Sequence, residues 1–456
     1  LSLISNLNYD YDAKYYVTGT FRRDGSSRLA PSKRWGNFWS VSGSWRFSNE
    51  EFLKQYDWLN EGKIRGSYGT SGTLPSSYFG YMAVYDYGNY GQSGASYPSN
   101  VANTDLTWEK NKNWNIALEG TIFDRYSITA EYYHKKTTDL LLDATVPSTT
   151  GFSTSLMNIG AMVNHGWELS VSVDILKKKD YDLTVGANWA TVHNEVKALS
   201  QPGEEIVNDV WIWKQGYSFY QFYTRQYLGV NKETGAPMYA EGSYYKKGEV
   251  TDQDVTLKNG KVVKSGETMP CNSFNYTATT RQKASSMIID GKTSIPKGYG
   301  GFNANFRWKD LTVSMAWSYK YGGYIWDGAT DELANDGYRT FTQPILKSQR
   351  NTWREDNTNG NIPRRVLGNN QGGYYNSTRY LHRDNFMRLK NMTVSYSLPK
   401  NFVEKLTLKN ARVYVAGTNL WTISNSEIDP EVEADGYYNY QMPTLRTITF
   451  GIEVSF

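Results

Sequence analysis

Alternation of apolar and polar side chains with a period of two runs through most of this sequence. Between Leu311 and Tyr321 the odd positions hold Leu, Val, Met, Trp, Tyr and Tyr, whereas the even positions hold Thr, Ser, Ala, Ser and Lys. Successive side chains of a β-strand point to opposite faces of the sheet, so this pattern predicts a strand with one apolar and one polar face. The same pattern recurs within residues 15–21, 39–47, 64–68, 113–122, 126–132, 167–175, 183–189, 302–308, 386–398, 411–417 and 448–456. We therefore expect about twelve strands and an all-β fold.

The aromatic content indicates where these strands lie. The chain has 37 Tyr, 17 Phe and 15 Trp, while hydrophobic residues as a class make up only 39%. Tyr and Trp combine an apolar ring with a polar tip, and in membrane proteins they collect in girdles at the level of the lipid headgroups. No apolar run is long enough for a transmembrane helix, so a chain of this kind crosses a bilayer only as a closed barrel. The expectation is an antiparallel transmembrane β-barrel, with a soluble β-sandwich as the alternative.

The lengths of the connections between predicted strands favour the barrel. Short connections fall at residues 48–60, 124–125, 177–182, 309–310 and 399–410. Between them lie long connections at about residues 22–34, 70–112, 140–158, 194–299, 322–383 and 418–445. Regular alternation of short and long connections is typical of outer-membrane barrels, which have short periplasmic turns and long extracellular loops. We therefore expect the long connections to be extracellular and the C-terminus to be periplasmic.

Charge and reactive residues restrict the function classes. The 49 Lys and Arg nearly balance the 45 Asp and Glu, so we expect no nucleic-acid partner. Cys271 is the single cysteine, which excludes an intrachain disulfide and a CxxC site. Scattered through the chain, without a HExxH motif or a short-spaced pair, are His134, His165, His193 and His382. We expect no catalytic site, no metal and no cofactor.

Several segments, in order along the chain, carry strings of a known family. They are RRDGSSR at 22–28, RWG at 34–36, SVSGSWR at 40–46, NIGAMVNHGWE at 158–168, FMRLKNMTVSY at 386–396 and VYVAGTNLW at 413–421. With these strings the chain resembles the SusC/RagA-like TonB-dependent outer-membrane transporters. The aromatic end of the chain is similar to the terminal strand that the barrel-assembly machinery recognises, with Phe456 as the assembly signal.

The resemblance implies an architecture and a function. Family members have a plug domain inside a barrel of roughly 22 strands, so residues 1–456 would be the C-terminal portion of one barrel domain. The plug and the N-terminal strands would lie outside this chain, which we interpret as a fragment since it begins in strand-like sequence without a signal peptide. The implied function is import of an oligosaccharide or oligopeptide across the bacterial outer membrane. The implied partners are a SusD-like surface lipoprotein, TonB with its inner-membrane energising complex, the protein's own plug, and lipid or lipopolysaccharide.

Aromatic residues crowd three of the long predicted loops. They are Trp211, Trp213, Tyr217, Tyr220 and Tyr223 in one loop, Tyr324, Trp326, Tyr374 and Tyr375 in another, and Tyr437 and Tyr438 in a third. Aromatic faces stack on sugar rings and on apolar peptide side chains, so these residues are candidates for contact with ligand or partner. They could equally hold the loops together, and Tyr is common at protein interfaces. A passive porin or an adhesin stays open as an alternative function, as does an outer-membrane hydrolase, which would require converging Ser, His and acidic residues.

Overall fold

The computed structural model describes residues 1–334, 336–337, 346–368, 376–405, 407–431 and 435–456. Within these residues the chain is dominated by one antiparallel sheet of fourteen strands. Its first seven are β1 (Ser2–Tyr11), β2 (Tyr15–Gly25), β3 (Trp35–Trp45), β4 (Leu59–Thr73), β5 (Glu109–Ile122), β6 (Tyr126–Thr138) and β7 (Ala161–Lys177). The others are β8 (Tyr181–Ala190), β9 (His193–Ala198), β10 (Gly298–Trp308), β11 (Leu311–Tyr321), β12 (Phe386–Ser397), β13 (Asn410–Ser424) and β14 (Thr447–Ser455).

The strands follow one another across the sheet in chain order, with one irregularity at β7. This long strand pairs with β8 along its second half and with β9 along its first half, so β9 continues β8 past Thr191 and Val192. The sequence prediction missed β1 and β9. In β9 a charged residue, Glu195, shares a face with His193, so the strict apolar–polar alternation is lost there.

The two faces of the sheet differ as a membrane barrel requires. The outer face is apolar: side chains such as Ile116 and Leu118 are 53% and 51% exposed in the protein alone. Aromatic rings pack together at both ends of this face. Near the short connections, ring centres of Tyr56 and Trp58 are 6.3 Å apart and those of Trp58 and Phe123 are 6.4 Å apart. These rings form one of two girdles at headgroup level.

The second girdle lies near the long connections. There the ring centre of Tyr132 is 5.4 Å from that of Trp114 and 5.1 Å from that of Trp167. Together the two girdles and the apolar band between them confirm the prediction of an antiparallel transmembrane β-barrel.

The inner face of the barrel wall is polar. On β4, Arg65 forms ion pairs with Glu119 of β5 and Glu131 of β6. Asn115 donates a 2.6 Å hydrogen bond to Glu131, and Ser67 donates one of 2.7 Å to Asn115. Charges on this face satisfy one another across three strands, which lowers the cost of holding them away from bulk water.

The described sheet is part of a barrel rather than a closed one. Among the described residues β1 pairs only with β2 and β14 pairs only with β13. Both outermost strands therefore present unpaired backbone N–H and C=O groups, which cannot be left unsatisfied in lipid. Closing the wall requires a pairing partner for each of these two edges.

The connections alternate between the two ends of the sheet. At one end are residues 12–14, 46–58, 123–125, 178–180, 309–310 and 398–409, which we call the short connections and none of which exceeds 13 residues. At the other end are residues 26–34, 74–108, 139–160, 199–297, 322–385 and 425–446, which we call the long connections and all of which except 26–34 exceed 20 residues. All the long connections leave the same end of the sheet because successive strands are antiparallel. No helix among the described residues is long and apolar enough to cross a membrane.

The connections contain short elements of their own. Their strands are Tyr85–Tyr90, Ser93–Pro98, Leu141–Thr145, Thr154–Asn158, Glu205–Asn208, Trp211–Lys214, Gln221–Thr224, Tyr227–Val230, Pro237–Ala240, Tyr244–Tyr245, Val255–Thr256, Val262–Val263, Ser273–Phe274, Ala278–Thr279, Met287–Thr293, Tyr324–Asp327, Leu381–Arg383 and Tyr437–Tyr438. Their helices are α1 (Gly328–Leu333) and α2 (Lys400–Lys405), with 3₁₀ turns at Phe47–Asn49, Ser148–Thr150, Lys347–Asn351 and Thr378–Tyr380.

Candidate ligand vestibule

Two of the long loops share a small sheet of three strands. Tyr324–Asp327 pairs antiparallel with Leu381–Arg383 and parallel with Tyr437–Tyr438. At the parallel junction, the backbone N–H of Trp326 donates a 2.7 Å hydrogen bond to the carbonyl oxygen of Gly436. The loop at 322–385 and the loop at 425–446 are therefore held as one unit.

The longest loop, at 199–297, packs against this unit through a hydrophobic core. Trp326 is fully buried at its centre, with ring centres 6.5 Å from Phe222 and 6.3 Å from Tyr380. Side chains from the loops at 199–297 and 322–385 form the cluster, and Tyr437 of the loop at 425–446 packs against it. The cluster also contains Val210, Ala240, Met287, Ile289, Ala334 and Leu381. Burying an aromatic ring of this size is worth several kcal/mol, so the core fixes the loops relative to one another.

Half-buried aromatic side chains surround this core. We call four of them, Trp211, Tyr220, Tyr324 and Tyr437, the vestibule cluster. The ring of Trp211 lies 6.2 Å from that of Tyr220 and 5.7 Å from that of Tyr437, between ring centres. Each of the four keeps part of its surface exposed. The cluster thus offers π-faces from three loops at one place.

Charged groups of both signs border the vestibule cluster. The ammonium of Lys292 lies 5.3 Å from the ring centre of Tyr324. Burial lowers the pKa of Lys292, and the positive charges of Lys258 and Arg383 lower it further. Burial, together with the negative charge of Asp435, raises the pKa of the Tyr220 hydroxyl. A ligand here would meet aromatic faces next to one cation and one anion.

The predicted aromatic residues have different positions in this arrangement. Trp213 stacks on Phe219 at 4.9 Å between ring centres, and Tyr223 lies half-buried in the strand Gln221–Thr224. Trp326 and Tyr438, at 0% and 9% exposed, belong to the interiors of the loops and offer no face to a ligand. Tyr374 and Tyr375 lie outside the described residues. Phe456 is 80% exposed and directly follows β14, at the end of the sheet with the short connections.

A cleft in the longest loop was missed by the sequence prediction. Its volume is about 440 Å³. The predicted residue Tyr217 lines it together with Tyr244, Phe274, Tyr276, Asn272 and Asp290. The dense aromatic content of Phe274-Asn275-Tyr276 was the available signal, but the cleft depends on contacts between segments far apart in the chain. Aromatic rings beside an amide and a carboxylate provide both stacking and directed hydrogen bonds.

The last loop, at 425–446, is anchored to the inner face of the barrel. Arg388 of β12 is 4% exposed and donates hydrogen bonds to Asp429 (2.7 Å), to Glu431 and to Thr422 (2.9 Å). Glu431 also forms a 2.6 Å ion pair with Lys390. We call these groups the inner latch. The sequence prediction missed it, because nothing in the spacing of β12 and the loop places their charges together.

The pKa of Asp429 reports on the strength of the inner latch. Burial alone would raise the pKa of this carboxyl group. Hydrogen bonds donated by the backbone N–H of Thr444 and by Arg388 outweigh burial and lower the pKa to about 2. The carboxylate therefore stays charged throughout the physiological pH range.

Residues 2–420 match the family described as TonB dependent receptor-like, beta-barrel. TonB-dependent receptor P3 of Formosa agariphila is 28% identical over 482 residues, covering 100% of this chain and 45% of that protein. TonB-dependent receptor SusC of Bacteroides thetaiotaomicron is 26% identical, covering 100% of this chain and 44% of that protein.

A solved structure shows the same fold. The RagAB peptide importer in its closed-closed state superposes with a TM-score of 0.82 at 28% identity, covering 100% of this chain and 47% of that chain. The chain thus spans about half the length of the relatives it matches. Since the family match covers most of the residues, the chain belongs to the TonB-dependent receptor-like β-barrel family.

Proposed function

We propose that this chain is the C-terminal part of the barrel of an energy-coupled importer that takes up an oligosaccharide or an oligopeptide. The observation that supports this most is the vestibule cluster, in which three loops from one end of the barrel present aromatic faces together. Membership of the family and the likeness to SusC and to a peptide importer agree with uptake of a nutrient.

The proposal includes an orientation. The long connections, which fold into the vestibule, face the cell exterior, and the short connections face the periplasm, as in other outer-membrane barrels. The C-terminus is then periplasmic, because Ser455 pairs with Asn410 next to a short connection.

The vestibule cluster provides the first contact with cargo. The rings of Tyr220 and Tyr324 stack on sugar rings or on apolar peptide side chains. Lys292 and Asp435 then select for polar groups of the cargo or for the two ends of a peptide. The cleft at Tyr217 and Tyr276 is a second contact for a long oligomer.

Two partners complete the mechanism. A SusD-like surface lipoprotein covers the long loops and encloses the cargo between itself and the vestibule. TonB, energised at the inner membrane, pulls on the plug inside the complete barrel and opens a path. The inner latch keeps the last loop against the wall while this occurs.

The test uses the full-length protein that contains this chain, expressed in its own host. Uptake of a fluorescently labelled oligosaccharide pool and of a labelled peptide pool is measured with and without the TonB-contacting segment. The proposal expects uptake of one pool to be lost in the deletion strain at equal amounts of surface protein. It also expects a surface lipoprotein to co-purify. Unchanged uptake after the deletion would contradict energy coupling and support a passive porin, and no uptake of either pool by the intact protein would support an adhesin.

A further inference from the structure

Three of the four histidines, far apart in the sequence, form a row across neighbouring strands. His165 of β7 lies opposite His134 of β6 and opposite His193 of β9 in the strand register. The ring centres are 6.1 Å apart in the first pair and 4.8 Å apart in the second. Trp114 of β5 extends the row, stacked on His134 at 5.6 Å. The row lies on the outer face of the barrel, since Trp114 alternates with the inward-facing Asn115 along β5.

A pair of lysines lies directly beyond this row, toward the long connections. Lys112 and Lys136 are exposed and stand opposite each other in the register of β5 and β6. Each is two residues from a member of the ring row, Trp114 or His134, and therefore shares its outer face. Like charges directly opposite each other destabilise a sheet unless something neutralises them.

No acidic side chain of the described residues neutralises this lysine pair. Asp139 is 3.0 Å from Lys110, with which it forms an ion pair. Glu195, on the same face, is held by Lys197 at 2.6 Å and lies 3.9 Å from His193. Lys112 and Lys136 form no ion pair within the part of the chain that the structure describes, so the surface there is cationic.

We propose that this surface binds the phosphate-bearing headgroup of a lipid in the outer leaflet, of the lipid A type. Lys112 and Lys136 donate charge-assisted hydrogen bonds to one phosphate group. The row of Trp114 and the three histidines packs at the level of the headgroup sugar, where such rings are stable. Below it, Ile116 and Leu118 contact the acyl chains.

The ligand is an anion held by cations and ring edges rather than a metal ion. The three histidine rings form a line, and no group of three or more His, Cys, Asp or Glu among the described residues could hold a metal. The site rests on the proposed orientation of the barrel, since only the end with the long connections meets the outer leaflet. It does not depend on cargo or on energy coupling.

The test measures lipid binding to the full-length protein in detergent by native mass spectrometry. The probes are diphosphoryl lipid A, the same lipid after removal of its phosphates, and inorganic phosphate as competitor. The test variant is Lys112→Gln/Lys136→Gln. The matched control is Lys178→Gln/Lys179→Gln, which removes the same charge at a short connection on the other end of the barrel.

The proposal predicts that the test variant binds diphosphoryl lipid A roughly thirtyfold more weakly than the unaltered protein, from the usual contribution of a lysine near an anionic membrane surface. The control variant and Lys112→Arg/Lys136→Arg keep the affinity, and the dephosphorylated lipid binds all proteins equally weakly. Equal binding of diphosphoryl lipid A by test variant and control would overturn the proposal. Displacement of the lipid by millimolar inorganic phosphate would also overturn it, because the site would then take a soluble anion.

Uptake by the same variants separates this proposal from the proposed function. Lipid binding that is lost while uptake is normal supports the lipid site and leaves energy-coupled import intact. Normal lipid binding by the test variant refutes the proposed lipid site. It does not contradict energy-coupled import.

Discussion

Arg388 on the inner wall of the barrel donates a 2.7 Å hydrogen bond to Asp429, which lies in the loop before the last strand. Both side chains are almost entirely buried, with 5% and 9% of their surface exposed. A loop that could extend freely from the barrel is thereby held against the wall, and the same loop carries Tyr437 of the vestibule cluster. Arg388 connects the loop that carries Tyr437 with the barrel wall.

Removal of this arginine should release the loop. Arg388→Gln leaves Asp429 buried without its cation, whereas Glu431 keeps its ion pair with Lys390. Breaking a buried pair in this way costs about 3–5 kcal/mol. We expect hydrogen exchange of residues 425–431 to accelerate strongly. Arg412→Gln is the matched control, because Arg412 and Glu453 are 42% and 59% exposed and such pairs contribute about 0–1 kcal/mol. Equal exchange in the two variants would show that Arg388 does not hold the loop.

Acid should release the loop in a defined pH range. An aspartate in an unfolded chain has a pKa of about 3.9, whereas Asp429 has a pKa of about 2 in the folded protein. A group whose pKa is lower in the folded than in the unfolded state contributes its full stabilisation at a pH above the unfolded-state pKa. This stabilisation is lost as the pH falls through the folded-state pKa. Protection of the loop should therefore be constant between about pH 8 and 5 and should decrease from about pH 4 toward 2. In Arg388→Gln the decrease should begin at a higher pH, and an unchanged profile would contradict the latch.

The barrel wall could be predicted from the sequence because one rule controls it. Successive residues of a strand such as β11 face the lipid and the interior in turn, so apolar and polar side chains alternate along the sequence. The register between strands is a separate matter. It places His134, His165 and His193 side by side, and no spacing in the sequence reveals this because the intervening loops differ in length.

We expect buried and half-exposed aromatic residues in the loops to differ in how much they stabilise the loop unit. Trp326→Ala empties the centre of the loop core and should destabilise the loop unit by about 3–5 kcal/mol. Tyr220→Ala removes a half-exposed ring and should cost far less. Limited proteolysis of the full-length protein measures the difference, with cleavage in residues 199–297 expected only for Trp326→Ala. Cleavage that is equal in the two variants would mean that Trp326 is not the centre of a shared core.

There is a physical reason why the sequence did not distinguish these two residues. A ring that fills a core and a ring that stacks on a ligand have the same composition and occur in the same loops. Their difference lies in how segments such as 221–224, 324–327 and 437–438 meet in space. Local patterns do not encode such contacts, so Trp326 and Tyr220 looked alike.

A glycine at the junction of the loops should be essential. Gly436 has a positive φ of 71°, and a Cβ atom added there would lie 2.4 Å from Cβ of Ser294 and 2.9 Å from the carbonyl oxygen of Tyr324. Gly436→Ala should therefore separate the parallel strand pair and weaken cargo binding. Gly248→Ala is the control, since Gly248 also has a positive φ, 84°, but open space around it. Both variants carry backbone strain, so a defect confined to Gly436→Ala identifies the junction as its cause.

Uptake by a variant in which the vestibule alone is altered tests the proposed function most directly. Tyr220→Ala/Tyr324→Ala removes two stacking faces, and the control Phe52→Ala/Phe402→Ala removes two aromatic side chains that are 62% and 53% exposed at short connections. At equal amounts of folded surface protein, we predict that uptake of the labelled cargo pool at a subsaturating concentration falls roughly thirtyfold in the vestibule variant and is unchanged in the control. Equal uptake by both variants would contradict the assignment of the vestibule as the cargo site.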